Sequence, residues 1–300
     1  MRKRYQNGQA VLIVLLSLSV VLVIVMYILS RSITDISLST KDENAMRAFS
    51  AAEAGIEKAL VVGSSSDPDF SGASFNASVT DFAAGQTTVV YPVSLKSGEL
   101  ATFWFVEHDS DGNLVCDATH PCFSGNRFAL CWGDPGTSDS SATTPAIELT
   151  VYYTTTPLDM TTLKVARGTY DVNATRRDTA AIPNHFDVAS NIACTIAGQD
   201  FQFRKGLYFN TTSPNLEVPG SEVQGTVLYA TVKMLYNTSV GHKVGLSVIG
   251  STSPLPSQGS IIDSLGSYGD ANRRISVYQL HPVVPPIFTN VLYSGTGILK

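Results

Sequence analysis

The chain is short of charge. Asp, Glu, Lys and Arg make up 15% of its 300 residues, against roughly 25% in an ordinary soluble domain. The formal charge is −5 and no basic stripe offsets it, which argues against nucleic acid as the main partner. Motifs that announce catalysis are also missing. There is no H-E-x-x-H and no phosphate-binding glycine loop. No G-x-S-x-G occurs either; Gly266-Ser267-Tyr268-Gly269 has the wrong spacing. No repeat recurs at a fixed period. The expectation is a chain that is not an enzyme and carries no cofactor. Its abundant Thr, Ser, Gly, Asn and Tyr fit an exposed β-rich surface outside the cell.

Charge is wholly absent from Ala10 to Leu29. Of the 19 residues Val11–Leu29, 15 are Leu, Ile or Val. At about −0.4 kcal/mol each these side chains favour insertion into a bilayer by roughly 6 kcal/mol. Nine of them are β-branched, which in water leans toward strand. In lipid the backbone must satisfy its own hydrogen bonds, so helix wins. Residues 11–29 are therefore expected to span a membrane once. Arg2, Lys3 and Arg4 place the N-terminus in the cytoplasm and everything after Arg31 outside. The exit Leu29-Ser30-Arg31-Ser32 lacks the A-x-A-like site of a cleaved secretory signal.

The helical period continues past the apolar run through Ile33, Ile36, Ala45, Phe49, Ala52, Ile56 and Leu60. Gly63 supplies a stop, and Thr40 with Glu43 matches a capping box at which the helix could bend or restart. Unbroken from Gln9 to Val62, such a helix would be about 80 Å long. Phe49, Ala52 and Ile56 lie on its packing stripe, which is alanine-rich and permits close approach by neighbouring backbones or by a sheet.

Several of these residues carry a family resemblance. Gly8, after a short basic leader and before the uncharged run, resembles the prepilin-peptidase site of type IV pilins and pseudopilins. Ala45-Met46-Arg47-Ala48-Phe49-Ser50-Ala51-Ala52-Glu53-Ala54-Gly55-Ile56-Glu57 is similar to the A-F-x-A-A-E-A-G stretch of PilX-type minor pilins. Arg273-Arg274-Ile275-Ser276-Val277 and Pro285-Pro286-Ile287-Phe288 resemble segments of bacterial pilus-assembly proteins. The resemblance implies a cytoplasmic leader at 1–8, cut between Gly8 and Gln9. Loss of its three positive charges takes the net charge from −5 to −8. Membrane lipid, prepilin peptidase and other pilin subunits, met through the N-terminal helix, are the implied partners. Three departures stand out. Gln9 replaces the usual Phe, Ser30 replaces a helix-loosening Pro, and Ile13 replaces a Glu that offsets the new α-amino charge of a neighbouring subunit. An unpaired buried ammonium is costly, so Ile13 implies a subunit at a filament tip.

From residue 63 to 300 the pattern changes to period two with turn signals. Ala101–Glu107 and Asn113–Cys116 read as a hairpin about Asp111-Gly112, and Ala146–Thr154 with Thr161–Arg167 as a second. Phe201–Phe209, Glu222–Val232, Lys243–Ile249 and Arg273–Leu280 are further strands. No helix of useful length is expected after Val62. Asp134–Thr144 reads as a mobile loop. The fold class is thus α+β: a long transmembrane and amphipathic helix, then an antiparallel sheet or sandwich, with one head domain favoured over two.

Cys116, Cys122, Cys131 and Cys194 all follow the apolar segment. Four cysteines allow three connectivities, and the outer face of a membrane favours disulfides. The short Cys116–Cys122 spacing suits a local staple, which would leave Cys131 with Cys194. Cys116, His120 and Cys122 do not form a standard zinc set. Asp109, Asp111 and Asn113 offer oxygens to Ca²⁺, but an Asp-Gly turn explains them without metal. His108, His120, His185, His242 and His281 read as scattered, and Arg176-Arg177 and Arg273-Arg274 as solvated basic pairs. The N-x-S/T patterns at Asn76, Asn173, Asn210 and Asn237 read as chance.

Two functions follow as expectations. One is a minor pilin or pseudopilin of a type IV pilus-like filament, held first in the cytoplasmic membrane and then in the pilus, priming assembly or touching a surface through a head of unidentified ligand. The alternative is a permanently anchored surface adhesin or enzyme that uses residues 1–30 as a signal anchor.

Overall fold

A computed structural model describes residues 9–210, 216–249 and 253–283. The chain divides into two compact units. One runs through Val79 and takes in Ile262–Val277; the other holds Thr80–Ile261 and resumes at Tyr278. The architecture is α+β, with one long N-terminal helix followed by antiparallel sheets. The step at residues 62 and 63 does not separate the units, since the first keeps both the helix and strands beyond it.

Along the chain, α1 (Gln9–Val62) is followed by β1 (Ser65–Phe70), β2 (Ala73–Asp81), β3 (Thr88–Val90), β4 (Leu100–Trp104), β5 (Glu107–His108) and β6 (Leu114–Val115). Then come β7 (Arg127–Trp132), β8 (Ala146–Thr154), β9 (Leu163–Asp171), β10 (Asp187–Val188), β11 (Cys194–Ile196) and β12 (Gln199–Phe201). Last are β13 (Phe203–Tyr208), β14 (Val227–Leu235), β15 (Val244–Val248), β16 (Gly259–Tyr268) and β17 (Ala271–Leu280).

In the first unit α1 is continuous. Thr40 does not cap a restart; its hydroxyl donates to the Ile36 carbonyl one turn back (3.0 Å), and Glu43 pairs with Arg47 (2.7 Å). Gly63, at φ +79°, stops the helix by returning its N–H to the Ala59 carbonyl (2.9 Å). Strands β1, β2, β16 and β17 lie in that order in one sheet. Ser71 and Gly72, both at positive φ, close the β1–β2 hairpin between paired Phe70 and Ala73. That is the twist-compatible two-residue turn. The core of this unit joins Ala51, Ile56 and Ala59 of the helix to Ala73, Phe75, Ala77 and Ile262 of the sheet.

The second unit is a sandwich. One sheet has the order β10-β9-β8-β14-β4 and the other β13-β7-β15-β3. Phe103, Ile147, Leu149, Val232 and Met234 from the first share a core with Phe128, Leu130, Trp132, Phe203 and Leu246 from the second. Full burial of each such side chain contributes about 1.5–3 kcal/mol. The register shift in β14 between Val227 and Tyr229 is a bulge. It keeps Val227 and Ala230 in the main core and turns Leu228 and Tyr229 toward Trp104, Val106 and Cys122. At the mouth of the unit, Phe82 donates its N–H to the Gly259 carbonyl and accepts from the Gln258 N–H, both at 2.8 Å. The outgoing and returning chains therefore run side by side.

Several expected elements differ. Residues 101–116 do not form one hairpin. β4 pairs with β14, and only β5 and β6 close about Asp111-Gly112, with Glu107 opposite Val115 and His108 opposite Leu114. The expected 201–209 strand is cut at Gln202, whose N–H bonds the Gly133 carbonyl (2.8 Å), and the expected 222–232 strand lies at Val227–Leu235. The β8–β9 hairpin forms as expected.

The basic pair at 176 and 177 is not a solvated face. Asp171, with its side chain fully buried, receives a two-pronged ion pair from Arg176, Nε to Oδ2 at 2.7 Å and Nη2 to Oδ1 at 2.8 Å. The same guanidinium donates to the carbonyls of Ala142 (3.1 Å) and Thr144 (2.9 Å) and stacks 3.8 Å from the Tyr236 ring. Arg177 is buried too and donates to the Asp171 carbonyl (3.0 Å). These bonds, with Asn173 to Ser141 (3.0 Å) and Thr144 to Ser138 (2.8 Å), pin the Asp134–Thr144 segment expected to be loose. Asn173 and Asn237 are buried structural residues.

Candidate functional site

The largest unpartnered feature of the described chain is the N-terminal stretch of α1. Every large apolar side chain from Val11 to Leu29 is exposed, Ile13 at 64%, and Ile33, Ile36 and Leu38 continue the series. The two serines that interrupt the run do not need water. Ser17 donates its hydroxyl to the Val14 carbonyl (2.9 Å) and Ser19 to the Leu16 carbonyl (2.8 Å), so both are satisfied within the helix. A rod with its serine hydroxyls paired and its surface apolar suits hydrocarbon or other rods of the same kind. α1 is long and apolar enough to cross a membrane. Gly8 and the rest of the 1–8 leader lie outside the described residues, as does the Pro285–Phe288 segment.

The C-terminal stretch of α1 is clamped by its own sheet. Ala48, Ala51, Ala52, Ile56 and Ala59 are buried. A side-chain carbon on Gly266 of β16 would overlap the Ala48 carbonyl oxygen and the Ala52 nitrogen, and one on Gly55 would overlap the Ser264 hydroxyl. Small residues on both elements therefore let the strand lie directly on the helix backbone. Arg47 extends the clamp, donating to the Tyr268 hydroxyl (2.9 Å) with its guanidinium 4.8 Å from the ring. Of the three residues expected on the packing stripe, Ala52 and Ile56 are buried, but Phe49 is 45% exposed and lies outside the clamp. The alanine stripe thus serves contact within the chain.

The cysteines pair as Cys116–Cys122 and Cys131–Cys194, which removes Cys116 and Cys122 from zinc chemistry. The second bridge ties the β11–β12 hairpin to β7, where Cys131, Ile196 and Phe201 cluster. The weak calcium candidate is a closed turn. Asp109 accepts from the Asp111 N–H (2.9 Å), the Asn113 N–H (2.8 Å) and the Asn113 amide (3.1 Å). Those bonds, the Asn113 side chain first, hold its carboxyl below the usual range. His120 is bound to Asp117 at 3.0 Å.

The histidines are not all scattered. His108 and His281, far apart in sequence, stack with ring centroids 3.8 Å apart and planes 15° from parallel. Glu107 joins them, and one donor atom from each of the three lies within 4.8 Å of the others. Burial, then the neighbouring His281, pushes the His108 pKa down to about 4; burial lowers that of His281 as well. The sequence does not announce this trio, because His281 lies far along the chain from the adjacent pair Glu107 and His108. No family model matches the chain, and no curated protein or solved structure is found similar to it.

Proposed function

We propose that the chain is a minor pilin- or pseudopilin-like subunit of a type IV pilus-like filament. The observation that carries this reading is the division of α1. Its first part is an uncovered apolar rod with internally paired serine hydroxyls, and its last part is fused to its own sheet through small residues. Lipid solvates the rod before assembly and sibling rods solvate it afterwards. The clamp makes the rod and its sheet move as one body, so that pulling the rod from the bilayer lifts the head. With Ile13 in place of an acid, the rod brings no carboxylate to a neighbour's amino terminus, which favours a tip position. The head then primes assembly or meets a surface.

The test is the mature N-terminus. Mass spectrometry of the protein from sheared surface fibres is expected to find Gln9 first, and Gly8→Val is expected to block processing. An intact leader on a protein that stays with the membrane fraction would overturn the proposal. A permanently anchored surface protein is the second reading, and one observation favours it. The alanine stripe that would otherwise welcome neighbouring helices is already covered by β16.

A further inference from the structure

We propose that Glu107, His108 and His281 bind one divalent transition-metal ion of the zinc class. The inference does not rest on the filament reading. All three side chains belong to the second unit, and their donor atoms lie within 4.8 Å of one another. Two donors on one tetrahedral zinc ion stand about 3.3–3.5 Å apart, so the trio closes on a metal by side-chain rotation.

A second observation is independent of that proximity. His108 Nδ1 and His281 Nε2 are both buried and have no hydrogen-bond partner. A buried polar nitrogen left unpaired is costly, and two of them beside one carboxylate make a set that a cation satisfies at once. The cluster is also held from behind. His281 donates its backbone N–H to the Gln258 carbonyl (3.4 Å). Glu107 is fixed by the N–H groups of His108 and Ser257, both at 3.1 Å. Trp104 stands edge-on to His108 at 4.5 Å and is itself locked by Gln258, which accepts from its N–H (2.7 Å) and donates to its carbonyl (2.9 Å). Such outer contacts orient ligands and set affinity.

The donor set selects the ion. Two imidazoles and one carboxylate suit zinc and its first-row neighbours, whereas Ca²⁺ takes six to eight oxygens. Three protein donors leave a further position open to water or to an external ligand. The ion would clip the end of β17 to β5, next to the Cys116–Cys122 staple.

The test uses the full chain in detergent, without a histidine tag and stripped with EDTA. Calorimetric titration with ZnCl₂ is expected to show one ion per chain. Affinity should fall about tenfold or more in Glu107→Gln and about a hundredfold in His281→Gln, and should be unchanged in His185→Gln, which alters an exposed histidine. Absence of saturable binding, or binding indifferent to the first two variants, would overturn the proposal. Should those variants fail to fold, the wild-type chain still decides. One equivalent of CuCl₂ is expected to quench tryptophan emission saturably and reversibly with EDTA, because Trp104 adjoins the site. Unquenched emission would overturn the proposal by itself.

Discussion

Gly266 lies directly on the carbonyl of Ala48, so that any side chain at this strand position collides with helix backbone. Backbone cannot move aside as the tip of a long side chain can. Gly266→Ala is therefore expected to cost about 1–3 kcal/mol or more, the range for overpacking a tight contact. Limited proteolysis should show 262–277 opening first. Gly206 is the internal control, because nothing lies within 4 Å of a carbon built there and its φ is not positive. Gly206→Ala should leave the melting temperature unchanged or raise it.

Asp171→Asn leaves the Arg176 guanidinium facing a neutral amide. Breaking one side of a buried ion pair costs about 3–5 kcal/mol, and the variant should melt well below the wild type. Burial alone pushes the Asp171 carboxyl up, but hydrogen bonds from Arg176, Asn173 and Asn184 and the Arg176 charge outweigh it, and the net direction is down. A carboxyl with a lowered folded pKa contributes stability above its unfolded pKa of about 3.9, and that contribution is lost as pH falls through the folded value. Melting temperature should thus drop on acidification below about pH 4, with a shallower slope in Asp171→Asn than in the wild type.

The two disulfides should differ in worth. Cys131 and Cys194 are separated by 63 positions and Cys116 and Cys122 by 6. Loop-closure entropy then gives about 4 kcal/mol for the long bridge and about 2 kcal/mol for the short one. Denaturant titration of Cys131→Ser/Cys194→Ser against Cys116→Ser/Cys122→Ser checks the order. Equal losses would mean that the β11–β12 hairpin is held mainly by Ile196 and Phe201.

Ile13→Glu probes the proposed function. A carboxylate in the hydrocarbon costs on the order of 2–3 kcal/mol unless a neighbouring amino terminus meets it. In a filament the substitution is expected to raise incorporation along the shaft, measured by quantitative mass spectrometry of sheared fibres. An unchanged distribution would remove the argument for a tip position.

What was legible in the sequence was local. The uncharged run, the Gly63 stop, the β8–β9 hairpin and the disulfide pairs all rest on short-range pattern or spacing. What was not legible depends on partners far along the chain. β4 finds β14 rather than 113–116, and the β14 bulge that turns Tyr229 outward leaves no mark in its apolar pattern. β16 carries Gly266, which in the sequence reads only as part of a misspaced catalytic motif, although its role is to admit a helix. Arg176 and Arg177 looked solvated because charge normally is, yet Asp171 five residues earlier was an available clue. The His108–His281 stack had no such clue. Thr40 matched a cap pattern but bonds backward to the Ile36 carbonyl, because the helix runs on unbroken through this polar stretch.

Phe82 bonds Gln258 and Gly259 within the second unit, so the two ends of the Thr80–Ile261 span lie side by side. A span whose ends meet can lengthen at little cost, since closing a longer loop adds little entropy. Residues inserted within that span would leave its paired ends where they are.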